Sequence, residues 1–147
     1  MHRYRSHTCA ELRAENVGQE ARLSGWVHRV RDHRHLVFVD LRDHYGITQC
    51  VVEADHKMFE AARVLKSETV LTVTGPVVRR DEETSNDRLP TGEVELHIRE
   101  AEVQNPAETL PLPVHGDHEY GEESRLRYRF LDLRRERMHR NILLRSE

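Results

Sequence analysis

Cysteine is nearly absent from this chain. Cys9 and Cys50 are the two present, and they form no CxxC pair. That spacing excludes a disulfide framework and any zinc knuckle. Cys50 lies in an apolar run and reads as a small core residue, and a reducing, cytoplasmic setting is the default expectation. Lysine is almost missing as well, at 2 residues against 21 arginines, a ratio that genomic base composition explains most simply. Aromatic residues make up 5% of the chain, with Trp26 the single tryptophan. So few rings are thin for a continuous aromatic track for stacking along a strand of nucleic acid. No apolar run approaches the ~18 residues of a membrane helix. The N-terminal MHRYRSHTCAELR is basic but lacks the apolar stretch of a secretory signal. Walker loops, dinucleotide-binding glycine fingerprints and zinc spacings are also missing. A net charge of −3 argues against wholesale electrostatic binding to nucleic acid, so charge placement matters more than the sum.

What is present is a soluble-domain composition, 37% hydrophobic over 147 residues. Thr8-Cys9-Ala10-Glu11 has capping-box form and predicts a short helix, about Cys9–Glu15, plugging one end of the domain. The stretch Gly25–Val52, GWVHRVRDHRHLVFVDLRDHYGITQCVV, is the most informative. It reads as three strands: Arg22–Val30, Leu36–Leu41 and Ile47–Val52. Turns are expected at Asp32–His35 and around His44–Gly46. Met58, Ala61, Ala62 and Leu65 recur at helical spacing in KMFEAARVLK, which predicts a short packing helix. Thr69–Val78 returns to strand, with Gly75-Pro76 marking a bulge or bend. Arg79–Leu89 is polar and reads as a mobile surface loop. Glu93–Val103 alternates as a fifth strand. Strand, strand, strand, helix, strand, strand is the order of an OB-fold, a five-stranded Greek-key barrel. The expected class is therefore all-β with minor helices; a five-stranded sandwich of another kind shares the element order.

From Asn105 the pattern changes. Pro106, Pro111 and Pro113 break regular structure, so residues 105–124 read as a linker or hinge after a domain spanning 1–104. Residues 125–147 are arginine-rich and helical in pattern, with Leu131, Met138, Ile142 and Leu143 as the apolar members. The pattern stops mid-period at Glu147, which reads as a fragment of a longer chain.

RYRFLDLRR at Arg127–Arg135, together with GWVHRVRDHRHLVFVDLRDHYGITQ and LPTGEVEL, resembles the N-terminal part of bacterial-type aspartyl-tRNA synthetases. The resemblance runs from Tyr4 to the end. It implies an anticodon-binding OB domain, a hinge, and at 125–147 the start of a class II catalytic domain. The longer enzyme would attach aspartate to tRNA using ATP and Mg²⁺, as a homodimer. The class II motifs for ATP are not in this chain. The resemblance therefore implies a tRNA-binding piece with no catalytic residue, no metal site and no cofactor of its own, inactive by itself, with no membrane partner. A sequence-neutral single-strand binder built on an OB-fold is the other reading the residues permit.

Unpaired RNA bases are recognised by stacking on aromatics and by hydrogen bonds to their edges. On the second strand Val37, Val39 and Leu41 share one face and Leu36, Phe38 and Asp40 the other. A phenylalanine beside an aspartate is a poor core residue and a good stacking platform, unless it covers the barrel end; the resemblance places the family's stacking residue at Phe38. Gln49 carries an amide that both donates and accepts; the matching family glutamine reads the middle anticodon base, a uracil. Arg29 and Arg31 alternate and should share a face. The resemblance implies an anticodon contact for Arg31, while Arg29 is a phosphate contact or a solvated charge. It implies further contacts at Arg80 and at Glu95, which could accept from the amino group of a cytosine in the third position. His33, in the first turn, matches the position that senses the last anticodon base, and a histidine there resembles the non-discriminating enzymes that charge aspartate and asparagine tRNAs alike. His28, His33, His35 and His44 match no metal-ligand spacing.

Overall fold

The computed structural model describes residues 2–146. The chain divides into two compact units, Met1–Glu108 and Thr109–Glu147. In the first, β1 (Glu20–His33), β2 (Leu36–Arg42) and β3 (Ile47–Glu53) form an antiparallel meander. A short helix α1 (Phe59–Arg63) leads to β4 (Val70–Arg79), and β5 (Val94–His97) and β6 (Glu100–Asn105) follow. β5 pairs with both β3 and β4, and β4 pairs with β1, so the ring β1-β2-β3-β5-β4 closes on itself. This is the closed five-strand ring of an OB-fold, with no open edge at its core.

Alternation sets the register. Val37, Val39 and Leu41 of β2 are fully buried, while Leu36, Phe38, Asp40 and Arg42 stay partly exposed on the outer face. A one-residue slip would turn those three buried side chains outward, at a cost of about 1.5–3 kcal/mol each. β1 needs an extra device. Ala21, Leu23, Gly25 and Val27 face inward at odd positions, yet the pairing with β2 shifts between Val27 and Arg29. His28 is the additional residue of this bulge. Beyond it the inward face passes to Val30, which pairs with Val39, and Arg29, Arg31 and His33 turn outward opposite Asp40, Phe38 and Leu36. The bulge thus delivers a basic row to the outer surface.

Several sequence expectations need correction. The helix expected at Cys9–Glu15 is replaced by a turn and a 3₁₀ segment at Ala14–Asn16. Half of the capping box is made, with the Thr8 amide donating to Glu11 Oε2 at 2.6 Å. The Cys9 amide instead goes to Asp43 Oδ2 at 2.9 Å, and the Cys9 carbonyl accepts from Thr48 Oγ1 at 2.8 Å. Those tertiary bonds pull Cys9 and Leu12 into the core, where both are fully buried. His33 belongs to β1, not to the turn, which is the two residues Arg34-His35. α1 buries Phe59 and Ala62, with Met58 and Leu65 packed beside them, while Ala61 faces outward. The polar loop after β4 contains a 3₁₀ segment at Glu82–Thr84.

The expected fifth strand is broken in two. Its halves, β5 and β6, bend around β4 at Ile98-Arg99, where the Ile98 amide donates to the Val51 carbonyl and the Arg99 amide to the Thr74 carbonyl. The crossing is close: any Cβ on Gly75 would collide with the His97 carbonyl. Glycine at 75 is what lets the two backbones meet.

In the second unit, Leu112, Val114 and Leu131 form a small cluster with Leu110, Tyr120 and Tyr128 against it. Leu112 and Val114, expected to be linker, therefore pack against Leu131 of α3 (Arg129–Asp132), which comes after α2 (Glu122–Arg127); α4 (Glu136–Ser146) follows. Asp132 is fully buried and accepts from Arg125 Nε at 3.1 Å and Arg129 Nη1 at 2.9 Å, so the acid of RYRFLDLRR holds this unit together. No helix among the described residues is long and apolar enough to cross a membrane.

Candidate nucleic-acid interface

Cross-strand pairing on the outer face assembles the site. Arg31 sits opposite Phe38, Phe38 opposite Val51, and Val51 beside His97. One step along, Arg29 faces Asp40 and Asp40 faces Gln49. Glu95 comes in on β5 opposite Val78, and Arg80 follows directly after β4.

These side chains form one hydrogen-bonded chain. Arg31 Nη2 donates to Asp40 Oδ1 at 2.8 Å and to Gln49 Oε1 at 2.9 Å. Gln49 Nε2 donates to Glu95 Oε2 at 2.8 Å. Glu95 Oε1 lies 2.9 Å from His97 Nε2, and His97 Nδ1 lies 3.1 Å from Glu53 Oε1. The polarity of the Gln49 amide follows from its neighbours. Its carbonyl faces a guanidinium and its NH₂ faces a carboxylate, and the reverse would set like against like.

Phe38 is half-buried between two groups. The Arg31 guanidinium carbon is 5.4 Å from its ring centroid, and the His33 ring meets it edge-on at 5.2 Å. The arginine therefore already occupies part of the space a stacked base would take. Gln49 is buried too, at 5% exposure, where a more open surface residue was expected. Its outer position is covered because Arg31 and Glu95 close over it. Arg31 thus covers Gln49 with a planar guanidinium, a group able to stack or to bind phosphate.

The electrostatics are balanced, with Arg31, Arg80 and His97 facing Asp40, Glu95 and Glu53. Burial pushes the Glu95 carboxyl up, but hydrogen bonds from His97 and Gln49 outweigh it and leave the group below its ordinary value. His97 is raised by its hydrogen bond to Glu95, against burial, with Glu53 adding to the rise. Arg80 is lowered by burial, with the neighbouring Arg31 charge reinforcing that and Glu95 and Asp40 opposing it. The Nε–H groups of both Arg31 and Arg80 are buried without a hydrogen-bond partner. Two unsatisfied donors, one of them on the guanidinium that lies over Phe38, leave capacity for an acceptor-bearing ligand. A near-neutral patch with fixed donors and acceptors suits base edges better than a row of phosphates.

Arg31, His33, Phe38, Gln49, Arg80 and Glu95 are thus brought together. Arg29 is exposed on the same face and lies outside the hydrogen-bonded chain. Sequence reasoning missed Asp40 as the group orienting Arg31, and His97 and Glu53 altogether. The alternation of β5 placed His97 on the same face as Glu95, which was the available signal. The remaining histidines scatter: His28 bonds Arg42 at 2.8 Å and His44 stacks on Tyr45. Among the described residues no group of three or more His, Cys, Asp or Glu side chains is arranged to hold a metal ion.

Residues 21–104 match the tRNA anticodon family model, described as an OB-fold nucleic acid binding domain. The chain is 60% identical over 147 residues to an aspartate–tRNA(Asp/Asn) ligase of Bradyrhizobium diazoefficiens, covering all of this chain and 25% of that protein. It is 61% identical over 146 residues to one of Paramagnetospirillum magneticum, covering 99% of this chain and 17% of that protein. Among solved structures, asparaginyl-tRNA synthetase from Pyrococcus horikoshii superimposes with a TM-score of 0.73 at 30% identity, over 87% of this chain and 28% of that one. The chain spans about a quarter of the length of the first of these ligases. With the family model matching more than half of its length, the chain belongs to the tRNA anticodon family of OB-fold nucleic acid binding domains.

Proposed function

We propose that this chain is the anticodon-reading module of an aspartate–tRNA ligase that accepts the tRNAs for both aspartate and asparagine. The single observation that carries the reading is the Arg31–Gln49–Glu95 chain beside Phe38, a base-sized platform flanked by fixed donors and acceptors. In this reading Phe38 stacks an anticodon base and Gln49 pairs with the middle uracil. Glu95 and Arg80 meet the third base, Arg31 anchors the loop, and the exposed Arg29 meets phosphate. His33, at the edge of the Phe38 ring, stands where the last anticodon base would be sensed. Support for relaxed discrimination comes from relatives described as acting on tRNA(Asp/Asn). The longer protein would join aspartate to tRNA with ATP and Mg²⁺, as a cytoplasmic homodimer, and residues 125–147 would open its catalytic domain.

The test is affinity for short anticodon stem-loops. Loops carrying guanine-uracil-cytosine should bind well above a hairpin of unrelated loop sequence. The loop with uracil in third place, as in an asparagine tRNA, should bind comparably to the first. Equal affinity for all hairpins, rising only with single-strand length, would overturn the reading in favour of a sequence-neutral binder. The salt slope should be shallow, because few phosphates are touched.

A further inference from the structure

The hydrogen-bonded chain does not end at the residues that would touch RNA. It continues outward along the surface from Glu95 to His97 and on to the exposed Glu53, beside an open groove of about 370 Å³ lined by Glu53, Asp55, His56, Pro76, His97 and Arg99, among others. We infer that His97 is a positioning residue for middle-base specificity: by holding Glu95 it locks the Gln49 amide in the one orientation that accepts uracil and rejects cytosine. The inference rests on the anticodon reading above and deepens it.

The chemistry turns on a symmetry problem. A glutamine amide offers one acceptor beside one donor. Uracil presents N3–H beside a carbonyl oxygen; cytosine presents a bare N3 beside an amino group. The two pyrimidines show opposite polarity, and a glutamine free to flip by half a turn serves either. Discrimination therefore needs the flip to be forbidden. Arg31 alone cannot forbid it, because Arg31 must move for a base to reach the buried Gln49. Glu95 can, since a flipped amide would set its carbonyl oxygen against the carboxylate now bonded to Nε2. Glu95 enforces this only while its carboxylate stays in place, and the group gripping its other oxygen is His97 Nε2 at 2.9 Å. Released from His97, Glu95 could turn toward the neighbouring Arg80 and the flip would become cheap.

His97 is built to grip. Its two ring nitrogens face two carboxylates, Glu95 on its own strand and Glu53 on β3. Only the imidazolium donates to both at once. The other groups around it are Asp55 and His56 from the connection after β3, Pro76 of β4, and Arg99 just beyond β5. His56 is turned aside to the Arg99 carbonyl at 2.9 Å. The rise of His97 above its ordinary value agrees with the grip.

The experiment measures binding of stem-loops with uracil or cytosine at the middle position, from about pH 5.5 to about pH 8.5, across the range where histidine titrates. It uses the whole chain as wild type, His97→Gln and His97→Leu. Glutamine reaches the position of Nε2 and donates to Glu95 but does not titrate. Wild type should prefer uracil, and the preference should fall as the pH rises through the His97 titration. His97→Gln should keep the preference and lose its pH dependence. His97→Leu should bind cytosine relatively better, narrowing the ratio about tenfold, the factor that a 1.4 kcal/mol difference gives. Should His97→Leu not fold, the pH profiles of wild type and His97→Gln still decide. An unchanged ratio in folded His97→Leu, or a pH dependence that survives in His97→Gln, would overturn the inference while leaving the anticodon reading intact. Wild type without any middle-base preference would overturn both.

Discussion

Phe38→Ala should separate binding from folding. The ring lies on the outer face of β2, half-buried, against the Arg31 guanidinium at 5.4 Å and the His33 ring edge at 5.2 Å. Losing the cation–π contact should cost the fold about 0.5–1 kcal/mol. Losing the edge contact should cost about 0.5–1.5 kcal/mol. Leu41→Ala, from the fully buried face of the same strand, should cost ~2–5 kcal/mol. For RNA the order reverses. A base stacked on Phe38 is worth roughly 1–3 kcal/mol, so affinity for the guanine-uracil-cytosine stem-loop should fall about 5- to 150-fold. Fluorescence anisotropy of a labelled stem-loop reads the binding and urea melts read the stability, with Phe38→Tyr keeping a ring in place. Unchanged affinity in Phe38→Ala, or an equal loss toward a hairpin of unrelated loop, would refute the assignment of Phe38 as the platform.

Three further outcomes follow from the same structure. Asp43→Ala removes the carboxylate that accepts from the Cys9, Tyr45 and Gly46 amides, so urea unfolding should show a loss of about 2–4 kcal/mol; an unchanged midpoint would show that those amides find other partners. The Glu95–His97 pair should stabilise the fold most between pH 4.5 and 6.5, the ordinary values of its two groups. Glu95, held low, loses its contribution as pH falls through its folded pKa, and His97, held high, loses its own as pH rises through its folded pKa; thermal melts against pH should lose the alkaline decline in His97→Gln, and a decline of equal size there would contradict this. Burial pushes both the Cys9 and Cys50 thiols up, so neither should react with a disulfide reagent in the folded protein, and prompt modification of either would show that the core opens locally.

The inner faces were legible because burial imposes a period of two. Val37, Val39 and Leu41 could be assigned inward from spacing alone, which left Phe38 and Asp40 outward. Phe38 and Gln49 stood out because core packing did not account for them. What spacing could not carry was long-range geometry. Val94, Leu96 and Ile98 alternate without a break, and the bend between β5 and β6 is dictated by the approach of the His97 carbonyl to Gly75 on another strand. The local signal Thr8-x-x-Glu11 was real, but Asp43, distant in sequence, took the Cys9 amide that a helix start would have ordered. Prolines at 106, 111 and 113 read as a linker, yet Leu112 and Val114 are buried against Leu131. His97 drew no notice because a histidine in an alternating strand is ordinary until Glu53 and Glu95 are seen on either side of it.

If the outer face of β1, β2, β3 and β5 holds the middle anticodon base, a stem-loop carrying 4-thiouracil at that position should crosslink there when irradiated in complex with the chain, and peptide mass mapping locates the adduct. The expected adduct lies within residues 31–53, on the peptide bearing Phe38 or the one bearing Gln49. An adduct confined to residues 2–24 or 109–146, from a complex of full affinity, would place the base elsewhere.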